Sequence, residues 1–277
     1  FENCSCSGDV EIYAAEAEVA QEIGGIAGVW NNGGADVVFT NCTFTGTLKT
    51  NIAVDFYYGG LVGKPYSATG TGKLIIDGYE MVATGVGMKD GEYYIQSVAG
   101  LKWLAEQVNG GNNFSKKVVK LAADLDLNNE EWTPIGTSSK PFNGTFDGQN
   151  KKISNLVITG NKSDVGLFGR TNDGEIKNLV VENAKVSGYL NVAVVAGTPY
   201  TSKYTNITVQ GHVEVNGMSY VGAVGGKNAY ANWTDITVNV DETSYVNANS
   251  IEGSKAYRTY VGGVCGFNGE GGHSFTN

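Results

Sequence analysis

Two consecutive stretches decide the fold: IKNLVVENAKVSGYLNVAVVAGTPY at residues 176–200 and YTNITVQGHVEVNGMSYVGAVGGKNAY at residues 204–230. Both open on an apolar residue, a polar one, an Asn and another apolar residue. Both then alternate apolar with polar positions and close on a glycine-rich or small-residue string. Alternation over short runs, bounded by Gly and Asn, is the mark of strands joined by tight turns. The near-repetition of a whole unit is the mark of a repeat architecture.

The two motifs recur outward from there. The small-residue motif reads IGGIAG (23–28), YGGLVG (58–63), VGLFG (165–169), VAVVAG (192–197), VGAVGG (221–226) and VGGVCG (261–266). The Asn motif reads FENCSCSG from Phe1, FTNCTFTG from Phe39, ISNLVITG from Ile153, IKNLVVENAKVSG from Ile176, YTNITVQG from Tyr204 and WTDITVNV from Trp233. Taken at Gly166, Ala193, Gly222 and Gly262, the small-residue motif returns after 27, 29 and 40 residues, within the range of solenoid repeats. Helical solenoids need longer runs at 3.6 periodicity, and propeller blades need about four strands per repeat. Two or three short strands per repeat predict an all-β chain, a right-handed parallel β-helix, with rungs about 4.8 Å apart and like residues stacked in columns. Asn3, Asn41, Asn155, Asn178 and Asn206 share one motif position, with Asp235 replacing it once. Asn accepts left-handed backbone geometry and bonds laterally to its neighbour, so this column is expected to form a structural ladder.

Composition agrees with such a chain. Of 277 residues, 40 are Gly and four are Pro, without the triplet period of collagen. Hydrophobic residues make up 41%, enough for a core, and charged residues only 17%, which excludes a disordered polyelectrolyte. The net charge of −9 argues against nucleic acid as a partner and against a polybasic membrane mode. No apolar run is long enough to insert in a membrane. Cys4, Cys6, Cys42 and Cys265 form no C-x-x-C pair and are expected to be small buried hydrophobes. The first and last residues fall inside repeats, the expectation for a piece of a longer protein.

Three segments are expected. Residues 1–66 read as the closing coils of a first array. Residues 67–92 read as a connecting β-element, with strands at 73–77 and 80–83 joined through Gly78. Residues 93–277 read as a second array. Its start, SVAGLKWLAEQV (97–108), places Leu101, Leu104, Ala105 and Val108 on one helical face, with Ser97 as cap and Gly110 as stop. This helix, 97–109, is expected to cover the open end of the second array, because bare strand edges invite pairing with other chains.

The strings GLKWLAEQVN, LAADLDL, WTPIG, FNGTFDGQNKKISNL, VGLFG and IKNLVVENAKVSG resemble the GLUG-repeat β-helix proteins of gut Bacteroidetes and Firmicutes, whose repeats are related to those flanking IgA-protease-type metallopeptidases. The resemblance is densest over 92–197, and the first array shares only its GGIAG and GGLVG strings. It implies a secreted or cell-surface bacterial solenoid of adhesin type without catalytic residues. The H-E-x-x-H of the metallopeptidase module is absent.

Direct evidence for chemistry is thin. His212 and His273 stand apart in sequence and read as surface or turn residues. A β-helix polysaccharide lyase or glycoside hydrolase is the enzymatic alternative, and it needs acidic groups on an open face. Asp124, Asp126 and Asp147 are the candidates, and together they would suit Ca²⁺, the one cofactor considered. For binding, Tyr200, Tyr204, Tyr230, Trp233 and Tyr257 lie in or beside the motif loops and would offer stacking faces to host glycans or extracellular proteins. The leading expectation is a non-catalytic surface module, an adhesin or a rigid spacer, with the carbohydrate-active enzyme as the alternative.

Overall fold

The computed structural model describes residues 1–8, 10–12, 26, 36–45, 48–50, 74–83, 85–249, 259–269 and 275–276. The strings at 23–28 and 58–63 lie outside these residues apart from Ile26, and so do Tyr257 and His273. The chain is a β-solenoid of about five turns, with one helix among the described residues. It divides into two compact units, Phe1–Gly91 and Glu92–Asn277.

In the first unit the Asn motifs pair in parallel. Strand Ser5–Cys6 lies beside Thr43–Phe44, Val10–Ile12 beside Leu48–Thr50, and Val37–Phe39 beside Leu74–Ile76. The chain then reverses through Asp77 and Gly78, both at positive φ, so that Tyr79–Ala83 runs antiparallel to Leu74–Ile76. Antiparallel Val86–Lys89 follows. Phe39, Leu74 and Met81 form the core, with Cys42 packed against them. All four cysteines are free and half-buried, not enclosed as expected.

The second unit opens with helix Val98–Gly110. Ser97 caps it by accepting from the Gly100 N–H, and Gly111, at φ 116°, ends it. Leu101, Leu104, Ala105 and Val108 are buried beneath it. The side chain of Asn109 ties the helix to the first winding at both ends. Its Nδ2 donates to the Pro134 carbonyl at 3.0 Å, and its Oδ1 accepts from the Gly136 N–H at 2.9 Å.

Each later winding has a long strand, a short strand and a second short strand. The long strands Glu175–Ser187, Lys203–Gly217 and Asn232–Val240 stack in parallel, after Val118–Leu121 and Thr145–Asp147. Leu190–Ala193, Ser219–Gly222 and Val261–Gly262 form a second face, and Phe168–Asn172, Ala196–Tyr200, Gly225–Asn228 and Cys265–Asn268 a third. Ile176, Leu179, Val181, Ile207 and Val209 point inward and are fully buried. An aromatic row runs through the interior from Phe114 to Phe142 to Phe168.

The asparagines do not form one column. Asn3 and Asn41 bond to each other in the first unit, at 3.2 Å. In the second unit, strand Lys152–Ile158 pairs with the later half of Glu175–Ser187, setting Leu156 opposite Ala184. Asn155 therefore stacks on Asn183, with Asp126 on its other side. Asn178 stacks instead between Asp147 and Asn206. Asn178 and Asn183 both hold left-handed φ values, of 51° and 56°, and bend one long strand at two corners. In the next winding Gly211, at φ 79°, follows at the second corner, where a Cβ would collide with the Asn183 side-chain oxygen.

Candidate functional site

Among the described residues of the second unit, the turn that leads from the third face back into the long strand repeats in four successive windings. It carries Asn143-Gly144-Thr145, Asp173-Gly174-Glu175, Thr201-Ser202-Lys203 and Tyr230-Ala231-Asn232. Backbone bonds place these turns one above another. The Glu175 N–H donates to Gly144, Lys203 to Gly174, and Asn232 to Ser202. Asp173, Thr201 and Tyr230 all adopt positive φ. Small residues at the centre of each turn leave a groove of about 350 Å³, walled by residues 115–116, 143–145, 173–175, 201 and 203. It therefore crosses four successive windings.

The groove is polar and balanced in charge. Lys116 and Lys203 stand against Asp173 and Glu175, and Thr201 donates to the Asn172 side chain at 3.0 Å. The side-chain oxygen of Asn143 is buried behind the groove wall, without a hydrogen-bond partner. One winding beyond Thr201, Tyr230 is 52% exposed. It meets Tyr200 edge-on, with ring centres 5.9 Å apart, and the Arg170 guanidinium lies 5.5 Å from the Tyr200 ring centre.

The other aromatic candidates are elsewhere. Tyr204 and Trp233 are fully buried and stacked at 4.3 Å inside the coil, so neither offers a face to a ligand. They occupy the inward position that Ile176 fills in the preceding winding. The Tyr204 hydroxyl pairs with Thr171, and burial pushes its pKa up. The expectation that they bind a ligand is corrected on this ground. Tyr257 lies outside the described residues.

The three aspartates are not gathered into one site. Asp124 accepts from the Lys152 N–H. Asp126 accepts from the Asn128 N–H and the Asn155 side chain, and these bonds hold its carboxyl below the usual range. Asp147 accepts from the Gln149 N–H and the Asn178 side chain. Among the described residues, no group of three His, Cys, Asp or Glu side chains is arranged to hold a metal ion.

A titratable cluster that was not expected surrounds His212 on the long-strand face. Its Nδ1 lies 3.1 Å from Asp241 Oδ2, and its Nε2 lies 3.2 Å from Glu214 Oε1. Glu214 also takes Lys185 and the Tyr245 hydroxyl. Hydrogen bonds to Glu214 and then Asp241 raise the His212 pKa. Hydrogen bonds from Thr243 and Ser244 lower that of Asp241 to about 2.

The groove residues Lys116, Asn143, Asp173, Thr201 and Lys203 escaped sequence reading because they sit in turns between the recognised motifs. Aligning the tripeptide that precedes each long strand would have found most of them.

No family model and no solved structure matches this chain. Over 149 residues, 49% of its length, it is 33% identical to the protein named Halomucin from Haloquadratum walsbyi, of which it spans 2%.

Proposed function

We propose that this chain is a non-catalytic module of a larger secreted or cell-surface protein, serving as a rigid spacer with adhesive surfaces. The observation that carries the reading is the in-register parallel pairing of successive windings around a closed apolar core. In such a stack each winding is supported by its neighbours, and successive turns are presented along one line. The likeness to a small part of a far longer protein supports a modular role. The motif order that resembles GLUG repeats supports an extracellular bacterial setting. Among the described residues, no helix is long and apolar enough to cross a membrane.

The test is a glycan and matrix-protein binding array, run beside a depolymerisation assay on the same polysaccharides. Binding without turnover is the expected result. Depolymerisation that disappears in Asp124→Ala or Asp147→Ala would replace this reading with the enzymatic one. Labelling of intact source cells by antibody raised against the chain tests the surface location, and failure to label would remove it.

A further inference from the structure

We infer that the groove along the turn column binds an extended, uncharged polysaccharide, one sugar residue per winding, with Tyr230 as the stacking face at its end. This rests on the surface-module reading, which is what brings the chain into contact with extracellular sugars.

The groove crosses four windings, and windings stack about 4.8 Å apart. That step is close to the length of one pyranose residue in an extended 1,4-linked chain. A sugar polymer laid along the axis would therefore meet an equivalent turn with each successive residue.

Each turn contributes a side chain that donates or accepts hydrogen bonds: Lys116, Asn143, Asp173, and then Thr201 with Lys203. Two cations against two carboxylates set up no field of one sign, which favours hydroxyl groups over a polyanion.

Tyr230 holds φ at 66°, a region that bulky side chains avoid, whereas Asp173 and Thr201 stand at this turn in earlier windings. Asn or Gly would make the turn with less strain. A strained aromatic residue that is half exposed and braced by Tyr200 is a ring held in place for contact.

The experiment is titration calorimetry of the whole chain with cello-, manno- and xylo-oligosaccharides of increasing length, with heparin as the polyanion control. Affinity for at least one neutral series should rise with each added sugar until the oligomer spans the four windings of the groove and reaches Tyr230 one winding beyond, and should change little with salt. Tyr230→Asn, which relaxes the backbone and so keeps the fold, should weaken binding about tenfold. Tyr245→Phe, on the long-strand face, should leave it unchanged. Absence of binding to every neutral series, unaltered affinity in Tyr230→Asn, or salt-sensitive binding to heparin alone would each overturn the inference. Intact cells that label with antibody while the chain ignores oligosaccharides would sink this inference and leave the surface module standing. Oligosaccharide binding without surface labelling would do the reverse.

Discussion

At the scale of single residues, the left-handed corners decide where a winding turns. Asn206, at φ 54°, donates through Nδ2 to Asn178 at 3.0 Å and to Asn150 at 3.1 Å. Asn206→Ala should lose both the ladder and the backbone preference, about 1–2 kcal/mol in denaturant unfolding. Asn206→Gly should recover the backbone share alone, so equal losses in the two variants would refute the division. The His212 cluster gives a pH dependence with a definite sign. Its folded pKa lies above the usual 6.5, so its contribution is complete below that value and fades as pH rises through the folded pKa. Asp241 behaves oppositely: its contribution is present above the usual 3.8 and fades as pH falls towards about 2. The melting-temperature advantage of wild type over His212→Asn should therefore be largest at mildly acidic pH and vanish at alkaline pH. A constant difference would rule out the charged pairing. The asparagine corners were legible as a residue type but not as a register. Asn178 and Asn183 both fit the motif, and only the length of the whole winding tells which of them Asn155 meets. The place of Tyr204 and Trp233 was legible, since both stand where Ile176 stands in IKNL, but their nearness to a loop suggested exposure.

At the scale of elements, helix Val98–Gly110 shows how local signals and a long-range contact combine. The apolar spacing and the Ser97 cap were plain in the sequence, and the C-terminal end differs by one residue, because Gly111 and not Gly110 takes the left-handed position. What the sequence did not reveal is the bond pair from Asn109 to Pro134 and Gly136, which joins residues some 25 and 27 positions apart. Asn109→Ala leaves the Pro134 carbonyl and the Gly136 N–H to find other partners. The expected cost is about 1–3 kcal/mol, with faster amide exchange at Gly136. Unchanged exchange at Gly136 would mean that the helix is seated by its apolar face alone. The turn column is the opposite case. Its members differ in type from one winding to the next, so periodicity of hydrophobic residues carries no trace of the groove they build.

At the scale of the whole molecule, stability should follow the stacking order within the second unit. Ile207 and Val209 are fully buried, whereas their register partners Ile236 and Val238 are half-buried. Hydrogen exchange should thus be slowest in Glu175–Ser187 and Lys203–Gly217 and quicken through Asn232–Val240 and Tyr245–Ala248. Uniform protection across these strands would contradict a sum of neighbour interactions. The parallel alternation, the helix and the all-β class could all be read before the structure, because each rests on patterns within a few residues. The offset between long strands, 28 residues from Glu175 to Lys203, has a further consequence. A duplication or deletion in the gene that spans one such period would lengthen or shorten the stack by a single layer, with the new seams matching the old. Lineages could therefore tune the reach of this module by slippage during replication, without inventing a new interior.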